Sequence, residues 1–379
     1  MNNRTLFSSL LCAVTFLSIP VHASELSPYE RYEGSEAEEA KLVSSLAQKF
    51  LILQENSKHQ GEKVRGTHAK GTCVDGELKI NENIDPIYRV GLFAKPATYQ
   101  TRVRFANGGS TIEADSVPDA RAISLAVDLG DGRRQDFAMN NGPIFPIGNL
   151  TDFNFLLDAG FAKAQALQEA LANGSTRVEA EQASERAAKW YLATHPTNVP
   201  GFLQVIKRGA ELKNQDVKSY RNLRYWSGSA FKFGENRAAK FALYPCRATL
   251  ETTPNLQDPD FLQNDLKEAV NSDRAPTCFD LQVQVLDVSK MRLHGLFTSQ
   301  ELPAWQWVED VTLDWDAAGV TSYTVARLSL KPYSIYDAAV CDDPANAINV
   351  VKNALPEHRG LGRINRARAV SEEASKKNR

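Results

Sequence analysis

Among the six histidines, His68 has the most unusual setting, Arg65-Gly66-Thr67-His68-Ala69-Lys70-Gly71. An unperturbed imidazole gains and loses its proton near neutral pH, so one histidine can take a proton from a substrate and give it back. A lone histidine is more often structural than catalytic, and periodicity does not separate the two roles. Arginine supplies a second kind of chemistry. Residues 99–106 alternate, placing Val103 and Phe105 on one face and Arg102 and Arg104 on the other. An arginine so placed needs solvent or an anionic partner. The cysteines are widely and irregularly spaced, without the close pairs of a zinc site. No nucleophile elbow is present and no cysteine has a recognisable histidine partner, which leaves a Ser or Cys hydrolase unsupported.

The elements that must position these residues can be read from periodicity. Residues 36–54 carry Leu42, Val43, Leu46, Phe50 and Leu53 at helical spacing, an amphipathic helix whose acidic start suits a helix N-terminus. Residues 99–106, 120–129, 278–286 and 323–330 read as strands. The cleanest alternation is Phe279, Leu281, Val283 and Val285 against Asp280, Gln282 and Gln284. Helical material clusters at 158–193 and at the two ends rather than between strands, and 255–276 reads as an insertion with a short helix at 261–270. That distribution predicts an α+β fold with an antiparallel sheet, not a doubly wound one. His195 and His358 read as loop residues, and His294 as adjacent to a turn.

Apolar residues make up 42% of the 379 and charged residues 24%, ordinary values for a globular chain, and the net charge of −2 with no long basic block before the tail argues against nucleic acid as a partner. Arg4, the apolar stretch 6–20 and Val21-His22-Ala23 read as a signal peptide over residues 1–23. The expected location is periplasmic or secreted, with no membrane contact after cleavage. Removal of the signal leaves Cys73, Cys246, Cys278 and Cys341, for which three disulfide pairings are open.

Several ordered segments carry a resemblance. After the His68 motif come residues 99–108, then Pro118-Asp119-Ala120-Arg121 and Met139-Asn140-Asn141-Gly142-Pro143. Tyr225-Trp226-Ser227, Trp307-Val308-Glu309-Asp310 and residues 355–368 follow. In this order and at these spacings they resemble the heme-dependent catalase superfamily, especially its small, exported, catalase-related branch. The resemblance implies an antiparallel β-barrel with flanking helices. It implies one domain over 24–379, with a helical arm at 24–60, barrel and inserted helices at 61–335, and a C-terminal wrap at 336–379.

It further implies heme as cofactor, a peroxide as substrate, self-association into a homo-oligomer, His68 as the acid/base, Asn141 as the amide orienting the peroxide, and Arg65 and Arg104 as holders of the heme propionates. Arg368 matches the arginine that precedes the family's axial tyrosine by one helical turn. Here that position falls on Glu372, or on Ser371 if one residue is missing, and Glu372 becomes the candidate iron ligand. Tyr333 and Tyr336 could replace it only through a rerouted chain. Ala106 stands where the family places a serine beside the histidine, and Pro146 where it places an aromatic residue. Two functions follow: a heme enzyme acting on hydrogen peroxide or organic hydroperoxides, or a non-enzymatic binding or structural protein of the same fold that has lost its iron ligand.

Overall fold

The computed structural model describes residues 26–27, 29–56, 58–59, 62–63, 65–247, 254–272, 277–287, 304–316, 319–337, 348–350 and 353–378. The expected signal peptide, Cys12, His294 and Cys341 lie outside these residues.

Eight strands form the centre: β1 (Gly71–Ile80), β2 (Thr98–Asn107), β3 (Arg121–Gly130), β4 (Arg133–Asn140), β5 (Tyr225–Trp226), β6 (Arg237–Pro245), β7 (Cys278–Asp287) and β8 (Ser322–Asp337). Each pairs antiparallel with its neighbours in sequence, and β8 returns to β1, with Leu328 opposite Leu78. The sheet is therefore a closed barrel with no free edge. Its interior takes every second side chain, among them Val74, Val103, Leu125, Phe137, Leu243 and Val283, all but fully buried. The β3–β4 hairpin turns through Gly130, Asp131 and Gly132, all at positive φ.

Flanking helices are α1 (Glu36–Asn56), α2 (Leu150–Ala172), α3 (Arg177–Thr194), α4 (Val199–Lys213), α5 (Phe261–Val270), α6 (Ala304–Glu309) and α7 (Gly362–Lys377). The expected helical stretch at 158–193 is two helices, because Thr176 and Glu179 form a capping box that starts α3 afresh. None of the described helices is long and apolar enough to cross a membrane.

What matters for the site is how α7 is held outside the barrel. It packs against α1 and α2. Arg366 reaches the Glu39 carboxylate at 2.6 Å and the Glu30 carboxylate at 3.3 Å. Glu30 also accepts from the backbone N–H of Gly362, the first residue of the helix, at 2.8 Å. On the barrel side, the fully buried Asp136 accepts from both Arg134 and the amide of Asn353, and from the backbone N–H of Asn349, which ties the returning chain to β4. Cys246 and Cys278 form a disulfide, and Cys73 is disulfide-bonded too.

Candidate functional site

A cavity of about 190 Å³, partly open to solvent, lies between the outer face of β3 and β4, the loop before β1, and helices α1, α2 and α7. The barrel wall contributes the small side chains Ala122, Ser124 and Ala138 beside Met139 and Asn140 at the end of β4, so space remains between strands and helices. Phe50, Phe145, Phe153 and Ile348 close its sides.

His68 enters from the loop. Its backbone is left-handed, with φ of 58°, a conformation that costs a residue with a Cβ about 1–3 kcal/mol and persists only where its surroundings over-determine it. They do. Its N–H bonds the carbonyl of Gly108 at 3.4 Å, the next N–H bonds that of Gly109 at 3.0 Å, and Arg104 donates to the His68 carbonyl at 2.8 Å. The Gly108–Gly109 turn is fixed in its own right, because the Asp119 carboxylate accepts both of its N–H groups. Gly71 is required beside this loop: a Cβ there would stand 2.7 Å from the Arg104 guanidinium carbon.

The imidazole Nδ1 lies 2.6 Å from the backbone carbonyl of Asn107. A carbonyl only accepts, so Nδ1 carries the proton and Nε2 is left with a lone pair. Burial holds the His68 pKa down to about 4; the Asn107 carbonyl opposes this, while the charges of Arg65, Arg104 and Arg368 add to it. At neutral pH the ring is a neutral base. The missing hydroxyl at Ala106 is thus answered by a main-chain acceptor one residue on.

Arg65, Arg368 and Glu372 line the same cavity as His68. Arg368 Nε lies 3.6 Å from Glu372 Oε1, one turn along α7. The Glu372 side chain keeps 23% exposure, as cavity-lining groups do. Burial still dominates and pushes its carboxyl up; the nearby Arg368 and Arg65 charges and the Val350 backbone pull it down, while Asp136 adds to the rise.

Two expected site residues are placed differently. Arg104 is not on the cavity wall; it lies behind the His68 loop, 2% exposed, and acts on the imidazole through the backbone and its charge. Asn141 turns away: its oxygen accepts from the Arg121 N–H at 2.8 Å, and its amide donates to Leu212 and Gln215. The amide that lines the cavity belongs to Asn140, the last residue of β4, one step earlier and hence on the opposite face. Tyr333 and Tyr336 do not line the cavity either; the Tyr336 hydroxyl bonds Asp75. His358 is no loop residue: it ends a short 3-10 turn and is fully buried, with Nε2 within 3.1 Å of the Leu92 N–H.

No family model matches the chain. It is 26% identical over 244 residues to catalase A of Aspergillus fumigatus, a stretch covering 61% of this chain and 30% of that protein. Solved structures of a fungal catalase (TM-score 0.57, 18% identity), a bacterial catalase (0.56, 18%) and catalase A from Saccharomyces cerevisiae (0.56, 17%) share the fold over 84%, 92% and 90% of this chain. The chain spans 59%, 62% and 65% of those chains, respectively. Barrel closure, the placement of the helices and these similarities agree: the chain has the catalase fold.

Proposed function

We propose that the protein binds heme in the cavity beneath α7 and reacts there with a peroxide, hydrogen peroxide or an organic hydroperoxide, outside the cytoplasm. The observation that carries this reading is the state of His68: a neutral imidazole, its Nδ1 committed to a backbone carbonyl, at the wall of a cavity that also holds two arginines. The donor set fits the cofactor. Small residues on the barrel wall and aromatic sides leave room for a flat macrocycle, and Arg65 presents a forked donor suited to its carboxylates. The orphaned oxygen of Glu372 is the anionic donor on the α7 side.

When bound, heme supplies the redox change that peroxide cleavage requires. The chain's own part is proton movement and orientation. His68 Nε2 takes the proton from one peroxide oxygen and returns it to the other, which leaves as water or an alcohol. The Asn140 amide, in place of the expected Asn141, orients the peroxide by hydrogen bonding without adding charge. Burial, with the charges of Arg65, Arg104 and Arg368 adding to it, keeps the imidazole from protonating, so the base is ready before substrate arrives. The Cys246–Cys278 disulfide supports an oxidising compartment, in keeping with the expected signal peptide.

The test is to purify the exported protein, titrate it with hemin and follow peroxide consumption. A Soret band with turnover that is lost in His68→Ala is the expected result; a folded protein with neither refutes the reading. The second reading, a heme or tetrapyrrole binder without turnover, is favoured by the absence of any tyrosine on the cavity side of α7 among the described residues. Stoichiometric heme binding with no peroxide consumption would select it.

A further inference from the structure

The face that α7 turns to the cavity is Ala367, Arg368, Ser371, Glu372 and Ser375. Two polar groups on it are orphaned. Glu372 Oε2 is buried and has no hydrogen-bond partner, and neither has the hydroxyl of Ser371, whose residue is 8% exposed. An unsatisfied buried polar group costs about 1–3 kcal/mol, more when charged, so two side by side mark a place where a bound group completes the structure.

The chemistry of that group follows from what else lines the cavity. Only His68, Met139 and Glu372 offer a ligand that iron takes readily. The His68 lone pair is the base of the proposed reaction, and Met139 belongs to the packed barrel interior, 3% exposed. That leaves a carboxylate, a hard anionic oxygen that matches ferric iron.

We infer that Glu372 is the proximal ligand of the heme iron in this chain, with Arg368 one turn earlier holding its other oxygen. The family's tyrosinate is replaced by a carboxylate at the same helical position, and the ligand keeps its arginine neighbour. The inference rests on the heme reading above.

Its test is spectroscopic and needs no turnover. The full-length protein is loaded with hemin and its ferric absorption and electron paramagnetic resonance spectra are recorded, with hemin affinity measured in parallel, for the wild type, Glu372→Gln, Glu372→Tyr and His68→Ala. Glu372→Gln is expected to change the ferric spectrum and weaken hemin binding by about 10-fold or more. Glu372→Tyr should restore affinity and add a tyrosinate-to-iron charge-transfer band, which keeps the test decisive if the Gln variant folds poorly. His68→Ala should leave the ferric resting spectrum close to wild type. If Glu372→Gln matches the wild type in spectrum and affinity, or if His68→Ala is the variant that loses the axial signature, the assignment is wrong while the heme reading stands. A wild-type protein that binds no hemin overturns both.

Discussion

His68 and His358 share a strongly depressed pKa, a property that ordinarily flags a functional histidine. Burial holds each pKa down to about 4. His358 sits among Phe93, Phe233 and Phe241, its Nε2 accepting from the Leu92 N–H. His68 stands in a strained loop and spends one nitrogen on Asn107, with three arginine charges acting on the ring. Open space beside the ring, not the pKa, separates the two. A depressed histidine becomes a candidate base only where a substrate can reach its lone pair.

The sharpest way to break this contrast is to remove each ring. His68→Ala should lower peroxide turnover by about 10²–10⁴-fold, the usual worth of a positioned acid/base, with its melting temperature close to wild type. His358→Ala should do the reverse. It empties a site among three phenylalanines and should cost about 2–5 kcal/mol of stability in urea, with turnover per folded molecule preserved. If both variants lose activity in proportion to stability, the distinction between them fails.

Acid should treat the two alike. Each folded pKa is below the unfolded value near 6.5, so below about pH 6.5 the unfolded chain binds more protons and stability falls as pH drops toward 4. A displacement of this size is worth at most about 3 kcal/mol per histidine at pH 4. Asp136, Glu309 and Glu372 work in the other sense, since burial raises their folded pKa and their protonation below it favours the folded state. Urea midpoints from pH 7 to 4 should therefore fall, and His358→Gln, which cannot titrate, should flatten part of the decline. An unchanged slope in that variant would show that His358 is not a source of it.

The loop that strains His68 offers a smaller effect. Asp119 does not line the cavity, yet it pins the turn whose carbonyls hold the backbone at His68 and Ala69. Asp119→Ala should reduce turnover by about 10- to 100-fold with heme content retained, and Asp119→Asn should recover part of it. Loss of heme in step with activity would instead make Asp119 a structural residue of the cavity as a whole.

How much of this was legible in the residues varies with what each strand faces. The alternation at 278–286 announced a strand because β7 keeps polar side chains on its outer face, such as Gln284, which bonds Asp316. β6 was not legible: Ala238, Ala239, Phe241, Ala242 and Leu243 are buried on both faces, so the period of two disappears. The catalase resemblance brought His68, Arg65, Arg368 and Glu372 to one cavity from positions about 300 residues apart, which no periodicity could do. It did not carry the strand register, which decides which neighbour faces the cavity.

The adjacent asparagines test that last point with the smallest expected effect. A strand sends successive side chains to opposite faces, and the pair Asn140-Asn141 at the end of β4 divides accordingly. Asn140 lines the cavity, whereas Asn141 is 2% exposed and ties the end of β4 to β3 and to the end of α4 through Arg121, Leu212 and Gln215. Asn140→Ala should therefore cost a few-fold to about 10-fold in peroxide turnover with little change in urea midpoint, the scale of one lost hydrogen bond to substrate. Asn141→Ala should leave turnover per folded molecule intact and lower stability by about 1–3 kcal/mol, because the Arg121 N–H is left buried without an acceptor. Should the two variants exchange these phenotypes, the register at the end of β4 differs from that described and Asn141 regains the role that the sequence resemblance implies for it.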